Sequence, residues 1–203
     1  MVKTKIGVLA SGRGSNLQSI IDACKKNEVF AEVVVVLSDK KDAYALQRAA
    51  KHGIKAVFVD PHIYPSRELH EKAIVKIMHE NDVDLVCLAG YMRLLTGEII
   101  GKFENRIMNI HPALLPSFPG THGQKDALDY GAKVSGCTVH FVVEQMDSGP
   151  IIAQSVVPVL ENDTEETLAA RILEQEHKTY SKAIDLYARK KLKIEGRKVK
   201  IEC

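Results

Sequence analysis

Asn109 and His111 stand two residues apart in Ile107-Met108-Asn109-Ile110-His111, an alternating segment that Pro112 ends. On a strand, Asn109 and His111 point to one face while Met108 and Ile110 point to the other. An amide NH2 and a protonated imidazole are both donors, and two donors converging on one point stabilise the oxygen anion that develops when an acyl carbon is attacked. No Ser or Cys adjoins the pair in sequence. Direct attack by a bound substrate amine is therefore simpler than a covalent acyl-enzyme. Both residue types also serve as hydrogen-bonded loop caps, so the pair alone does not decide between catalysis and local structure.

Three other segments carry chemical potential. Ser11-Gly12-Arg13-Gly14-Ser15-Asn16-Leu17 follows the first apolar run and opens a helix, where backbone N–H groups and the helix dipole bind phosphate. A dinucleotide fingerprint needs glycine where this chain has Leu17, which disfavours NAD. Asp39 either imitates the ribose-binding acid of such folds or, more simply, caps a helix beginning near Asp42. Leu88-Ala89-Gly90-Tyr91-Met92-Arg93-Leu94-Leu95 leaves a strand at its carboxyl end, where open α/β sheets bind ligands. There, small Ala89 and Gly90 let a flat ring approach the backbone while Met92 and Leu94 line an apolar slot; read without context, the segment is more simply core. Asp147, just before Ser148-Gly149-Pro150, sits on a turn that can fold back towards His111 and favour the charged imidazole, or simply cap the Gly-Pro turn.

These residues need a frame. Runs at Lys5–Leu9, Glu32–Leu37, Ala56–Val59, Leu85–Leu88 and Ile107–Ile110 alternate with helical stretches near Asn16–Lys26, Ala43–His52, Arg67–Asn81 and Gly97–Phe103. That rhythm predicts an α/β fold with a doubly wound, mostly parallel sheet. Val33-Val34-Val35-Val36-Leu37 suits a central strand buried on both faces. From Val134 the pattern changes to two long strands, Val134–Glu144 and Ile151–Val159, joined by Gln145-Met146-Asp147-Ser148-Gly149-Pro150. They predict a C-terminal antiparallel addition. Asp163-Thr164-Glu165-Glu166-Thr167 opens a helix with one face buried through Leu168, Ile172 and Leu173, and a small strand or two closes the chain. Between Pro112 and Gly123, prolines and glycines forbid regular structure, which reads as an active-site loop or as a plain connection.

The 203 residues suit one domain, 1–203, with a phosphate-binding half at 1–110 and a catalytic half at 111–203. Hydrophobic content of 45% and charged content of 27% are those of a soluble globular protein, and no apolar run reaches the roughly 18 residues that span a bilayer. The basic start Met1-Val2-Lys3-Thr4-Lys5 leads into a short strand rather than a secretion signal, so a cytoplasmic location is expected. Cys24, Cys87, Cys137 and Cys203 lack disulfide or zinc spacing and read as reduced thiols, three of them in the core. A net charge of +2 without a basic block gives no nucleic-acid surface, and the basic stretch from Arg189 to Lys200 reads as a solvated helix end and edge strand.

Taken together, Ser-Gly-x-Gly-Ser-Asn-Leu, Leu-Ala-Gly-Tyr-Met-Arg, Asn-Ile-His-Pro-x-Leu-Leu-Pro and the Asp-x-Gly-Pro turn resemble the phosphoribosylglycinamide formyltransferases, folate enzymes of purine synthesis. The likeness runs over nearly the whole chain. It implies a Rossmann-like formyltransferase fold and transfer of a formyl group from 10-formyltetrahydrofolate to the amine of phosphoribosylglycinamide, without a metal. By the resemblance, Asn109, His111 and Asp147 match the catalytic trio. Gly14, Ser15, Asn16 and Glu176 match positions that bind the nucleotide substrate, while Arg67, Met92, Arg93, Leu94, Leu95 and Asn109 match folate-binding positions. His140 is expected to support the pocket from behind, and His122 receives no role. Small molecules are the only partners expected, with no nucleic acid or membrane, and the protein is read as a monomer or homodimer. Two relatives of the superfamily fit less well. A formyltetrahydrofolate hydrolase normally has a regulatory domain and lacks the glycine loop, and methionyl-tRNA formyltransferase adds an RNA-binding domain for which the residues after Leu186 are too few. A non-catalytic phosphate-binding module using Gly12 to Asn16 is the reading from a different class.

Overall fold

Valine-rich segments become buried strands in the computed structural model, which describes residues 2–202. Met1 of the basic start and Cys203 of the four cysteines lie outside the described residues. The chain divides into two compact units, Met1–Met108 and Asn109–Cys203, with Asn109 in the same unit as His111.

In the first unit, β1 (Thr4–Leu9), β2 (Ala31–Ser38), β3 (Lys55–Phe58) and β4 (Leu85–Leu88) lie in the order β3-β2-β1-β4, all parallel. The connecting helices are α1 (Ser15–Lys25), α2 (Tyr44–Lys51) and α3 (Arg67–Glu80), with α4 (Gly97–Lys102) after β4. Val35, Val36 and Leu37 of β2 and all of β4 are buried, as continuous apolar runs in a covered parallel sheet should be. Met78 of α3 and Leu17, Ile20 and Ile21 of α1 supply the helical side of this core. Ser66 caps α3 by accepting the Leu69 N–H at 3.3 Å, and Thr96 caps α4 through Glu98 N–H, also at 3.3 Å.

The second unit takes up Asn109–His111 of β5 (Ile107–His111), followed by α5 (Gly123–Tyr130), β6 (Val134–Phe141), β7 (Ile151–Pro158), α6 (Glu165–Ala188), β8 (Leu192–Glu195) and β9 (Lys198–Ile201). β6 and β7 pair antiparallel, β9 joins β7 in parallel at Ile151 and Lys198, and β8 pairs antiparallel with β9. α6 is 24 residues long and lays Leu168, Ile172, Tyr180, Ala183 and Ile184 into the core at helical spacing. Thr164 caps it, in reciprocal bonds with Thr167. The stretch predicted to be irregular from Pro112 to Gly123 is so only to His122. Gly123 opens α5, a helix that the proline- and glycine-rich composition conceals. The basic tail starts at Arg189, the C-cap of α6, and continues into the β8–β9 hairpin.

Candidate functional site

β5 brings Asn109 and His111 to one side of its strand, and β6 adds a third polar side chain beside them. His111 is 3% exposed and His140 of β6 is 2% exposed. His140 Nδ1 lies 2.9 Å from the Phe141 carbonyl oxygen, which accepts only from an N–H, so the proton belongs on Nδ1. Nε2 is then a lone pair, and it accepts from Asn109 Nδ2 at 3.2 Å. This fixes which way the Asn109 amide points. Its nitrogen carries two N–H groups, and His140 takes one, leaving the second for an incoming oxygen. Burial pushes the His140 pKa below the ordinary imidazole value, against the opposing influence of the Phe141 carbonyl and Asp147.

His111 faces an acceptor on each side of its ring. Nε2 donates to the Phe118 carbonyl at 2.9 Å, and Nδ1 lies 3.4 Å from Asp147 Oδ2. Asp147 sits on the β6–β7 turn with φ of 50°, a left-handed conformation that Asp tolerates better than most residues. Its Oδ2 also accepts the Gly120 N–H at 2.8 Å, and its Oδ1 is 3.7 Å from His140 Nε2, beyond hydrogen-bond range. The irregular segment after Pro112 therefore touches the trio twice, through Phe118 and Gly120. Its base is held by Thr138 of β6, whose hydroxyl donates to Ala113 O at 2.7 Å and accepts Leu115 N–H at 3.0 Å. Gln154 of β7 adds bonds to Leu115 O and to the Thr138 hydroxyl.

The Asp147 turn can approach β6 this closely because residue 149 is glycine. A Cβ there would stand 1.7 Å from Phe141 O, the carbonyl that sets the His140 tautomer. Glu176 lies on the buried face of α6, in line with Ile172 and Tyr180. Its charge reaches Cys137 of β6, whose thiol burial pushes up to about 11.

In the first unit, α1 begins at Gly14 in a left-handed conformation, φ 68°, with no side chain capping it. A Cβ on Gly14 would stand 2.9 Å from Ala45, so glycine is required both by φ and by the approach of α2. Ala45 N–H donates to Gly12 O at 3.1 Å and Arg48 Nε to Arg13 O at 2.8 Å, which turns the loop carbonyls towards α2. What this leaves at the start of α1 is an uncapped helix N-terminus with its partial positive charge.

Asp39 corrects both expectations made for it. It caps no helix, since α2 starts at Tyr44 with Ala43 at the cap and no side-chain bond. Nor does it stand open to a ribose. It is 6% exposed and accepts the Ser11 hydroxyl at 2.6 Å. Met92 and Leu94 are 69% and 56% exposed, so in this structure their side chains do not enclose the apolar slot expected of them. Arg93 and Leu95 are half-buried in the same segment. The backbone of that segment is well tethered: Arg67 donates to Leu94 O, Met92 N–H to the Ser11 hydroxyl, and Thr96 N–H to Glu71. Burial pushes the Tyr91 phenol well above its ordinary pKa, with Asp39 adding to the effect.

Sequence reasoning singles out Asn109, His111 and Asp147, and the structure brings them together in one unit. His140, which alternation along β6 places on the same face as Thr138, lies behind Asn109 and bonds to it at 3.2 Å. Phe118 and Gly120 act through backbone groups, which leave no side-chain signal.

The model of the formyl transferase family matches residues 4–184 of the chain. Phosphoribosylglycinamide formyltransferase of Escherichia coli is 42% identical over 192 residues, covering 93% of this chain and 89% of the relative. The trifunctional purine biosynthetic protein adenosine-3 of Gallus gallus is 45% identical over 186 residues, 92% of this chain but 18% of the relative. The chain thus spans less than a fifth of that protein. The crystal structure of glycinamide ribonucleotide transformylase 1 from Symbiobacterium toebii superimposes with a TM-score of 0.98 at 52% identity, over 99% of this chain and 95% of the other.

Proposed function

The chain belongs to the formyl transferase family, and on that premise we propose that it moves the formyl group of 10-formyltetrahydrofolate onto the glycinamide amine of N1-(5-phospho-D-ribosyl)glycinamide, giving N-formylglycinamide ribonucleotide and tetrahydrofolate in purine biosynthesis. The observation that carries this reading is the arrangement of Asn109, His111 and Asp147: hydrogen-bond donors from one strand end, a carboxylate against the ring, and neither a Ser hydroxyl nor a Cys thiol bonded to any of the three among the described residues.

In the reaction the neutral amine attacks the formyl carbon directly. The new C–N bond forms, the carbonyl oxygen becomes an oxyanion, and the remaining N–H of Asn109 and an N–H of His111 receive it. To do so, His111 exchanges the Phe118 carbonyl for the substrate oxygen. The charged imidazole supplies Asp147 and that oxygen at once, which the neutral ring cannot. Collapse then breaks the bond to folate N10, and the proton lost by the amine reaches that nitrogen through His111 or water. Gly14, Ser15, Asn16 and Glu176 bind the nucleotide, with its phosphate at the uncapped start of α1. Arg67, Met92, Arg93, Leu94, Leu95 and Asn109 bind the folate, the backbone of residues 92–95 addressing the heterocycle. No metal is used.

Mixing the protein with 10-formyltetrahydrofolate and following tetrahydrofolate with and without phosphoribosylglycinamide tests this. Release only with the nucleotide is expected; equal release without it makes the protein a hydrolase, and none makes it a binding module.

A further inference from the structure

Ser11 opens the phosphate loop, yet its hydroxyl serves two other segments. It donates its one proton to Asp39 Oδ1 at 2.6 Å, at the end of β2. With that proton committed, a lone pair accepts the Met92 N–H at 2.9 Å, in the segment after β4. The Ser11 N–H in turn donates to Gly90 O at 2.9 Å, so Ser11 and the Gly90–Met92 segment are joined by two bonds, one in each direction. The bond to the carboxylate is short and charge-assisted, and Asp39 is almost wholly buried, so the hydroxyl has a single orientation. On the far side of Ser11, Gly12 O and Arg13 O are held by α2. A shift of the loop therefore has a direct route to Met92.

We propose that Ser11 is a positioning residue that couples the two substrate-binding segments of the first unit. A nucleotide phosphate that orders residues 12–16 also fixes Ser11, and Ser11 holds the Met92 N–H and the following backbone in the form that receives the folate. This rests on the assignment of those segments to nucleotide and folate made above. Coupling of this kind is reciprocal: the folate tightens nucleotide binding by the same factor as the nucleotide tightens the folate.

The test is calorimetric titration of the intact protein with phosphoribosylglycinamide, alone and with saturating tetrahydrofolate, which has no formyl group to transfer. In the wild type the folate is expected to lower the nucleotide Kd at least about fivefold, the small end of ordinary coupling. Ser11→Ala is expected to reduce the factor to less than about two, and Ser11→Thr, which keeps the hydroxyl, to restore it. An independent reading in the wild type avoids any folding defect: hydrogen exchange at the Met92 amide should slow when phosphoribosylglycinamide alone is added. Equal coupling in wild type and Ser11→Ala, no coupling in the wild type, or unchanged Met92 exchange overturns the proposal. If the wild type binds no phosphoribosylglycinamide, the functional assignment falls and the coupling falls with it.

Discussion

His140 shows how a single ring is assigned its work by its neighbours. The Phe141 carbonyl takes the Nδ1 proton and Asn109 takes the Nε2 lone pair, so the neutral form satisfies the hydrogen bonds at both ring nitrogens. Burial reinforces that choice by lowering the pKa. The unfolded chain binds a proton at His140 near the ordinary value of about 6.5, whereas the folded protein resists it until lower pH. The contribution of His140 to stability is therefore complete above about pH 6.5 and is lost as pH falls towards the depressed folded-state value; His177, lowered by burial alone, adds in the same direction. His140→Gln keeps an acceptor for Asn109 and does not titrate. Its melting temperature should fall less between pH 7.5 and 5.5 than that of the wild type, and an identical fall would show that His140 is not protonated differently on folding. The candidate trio is legible at this scale because Asn109 and His111 share a strand face and Asp147 marks a turn. Asp39 is not, because a buried carboxylate and a helix cap have the same local sequence; only the three-dimensional approach of Ser11 separates them.

Strands and turns fix these residues more than their own chemistry does. The β6–β7 turn lies flat on β6 because Gly149 has no side chain, and Phe141 N–H closes the contact by donating to Pro150 O at 2.9 Å. Gly149→Ala must lift the turn, carrying Asp147 away from His111 and loosening the carbonyl that orients His140. Overpacking of this kind costs about 1–3 kcal/mol of stability. Turnover should fall by at least about tenfold, since a misplacement near 1 Å at a reacting centre has larger effects than that. Steady-state rates below the melting transition, with circular dichroism to confirm the fold, check both; a variant with wild-type kcat would mean the turn need not lie close. β1, β2 and β4 are readable because burial forces unbroken apolar runs, and the helices because α1, α3 and α6 carry clear periodicity. α5 is not, since Gly123 heads it within a proline- and glycine-rich segment and only Ala127 follows as a buried apolar residue.

At the scale of the whole molecule, the chain combines four parallel strands in one compact unit with an antiparallel addition in the other, and each carries its own part of the proposed chemistry. In that proposal the first offers its uncapped helix start to an anion and its tethered backbone segment to a heterocycle, and the second offers donors to an oxyanion. No described helix is long and apolar enough to cross a membrane. The central claim is that Asn109 and His111 act on the transition state and not on the nucleotide's phosphoribosyl group. Comparing kcat/KM and phosphoribosylglycinamide Kd for Asn109→Ala and His111→Ala tests it most directly. Each substitution should lower kcat/KM by about 10²–10³, the loss of one oxyanion donor, while the nucleotide Kd stays at its wild-type value. Formyl transfer at near the wild-type rate in either variant, with the fold intact, would contradict the account.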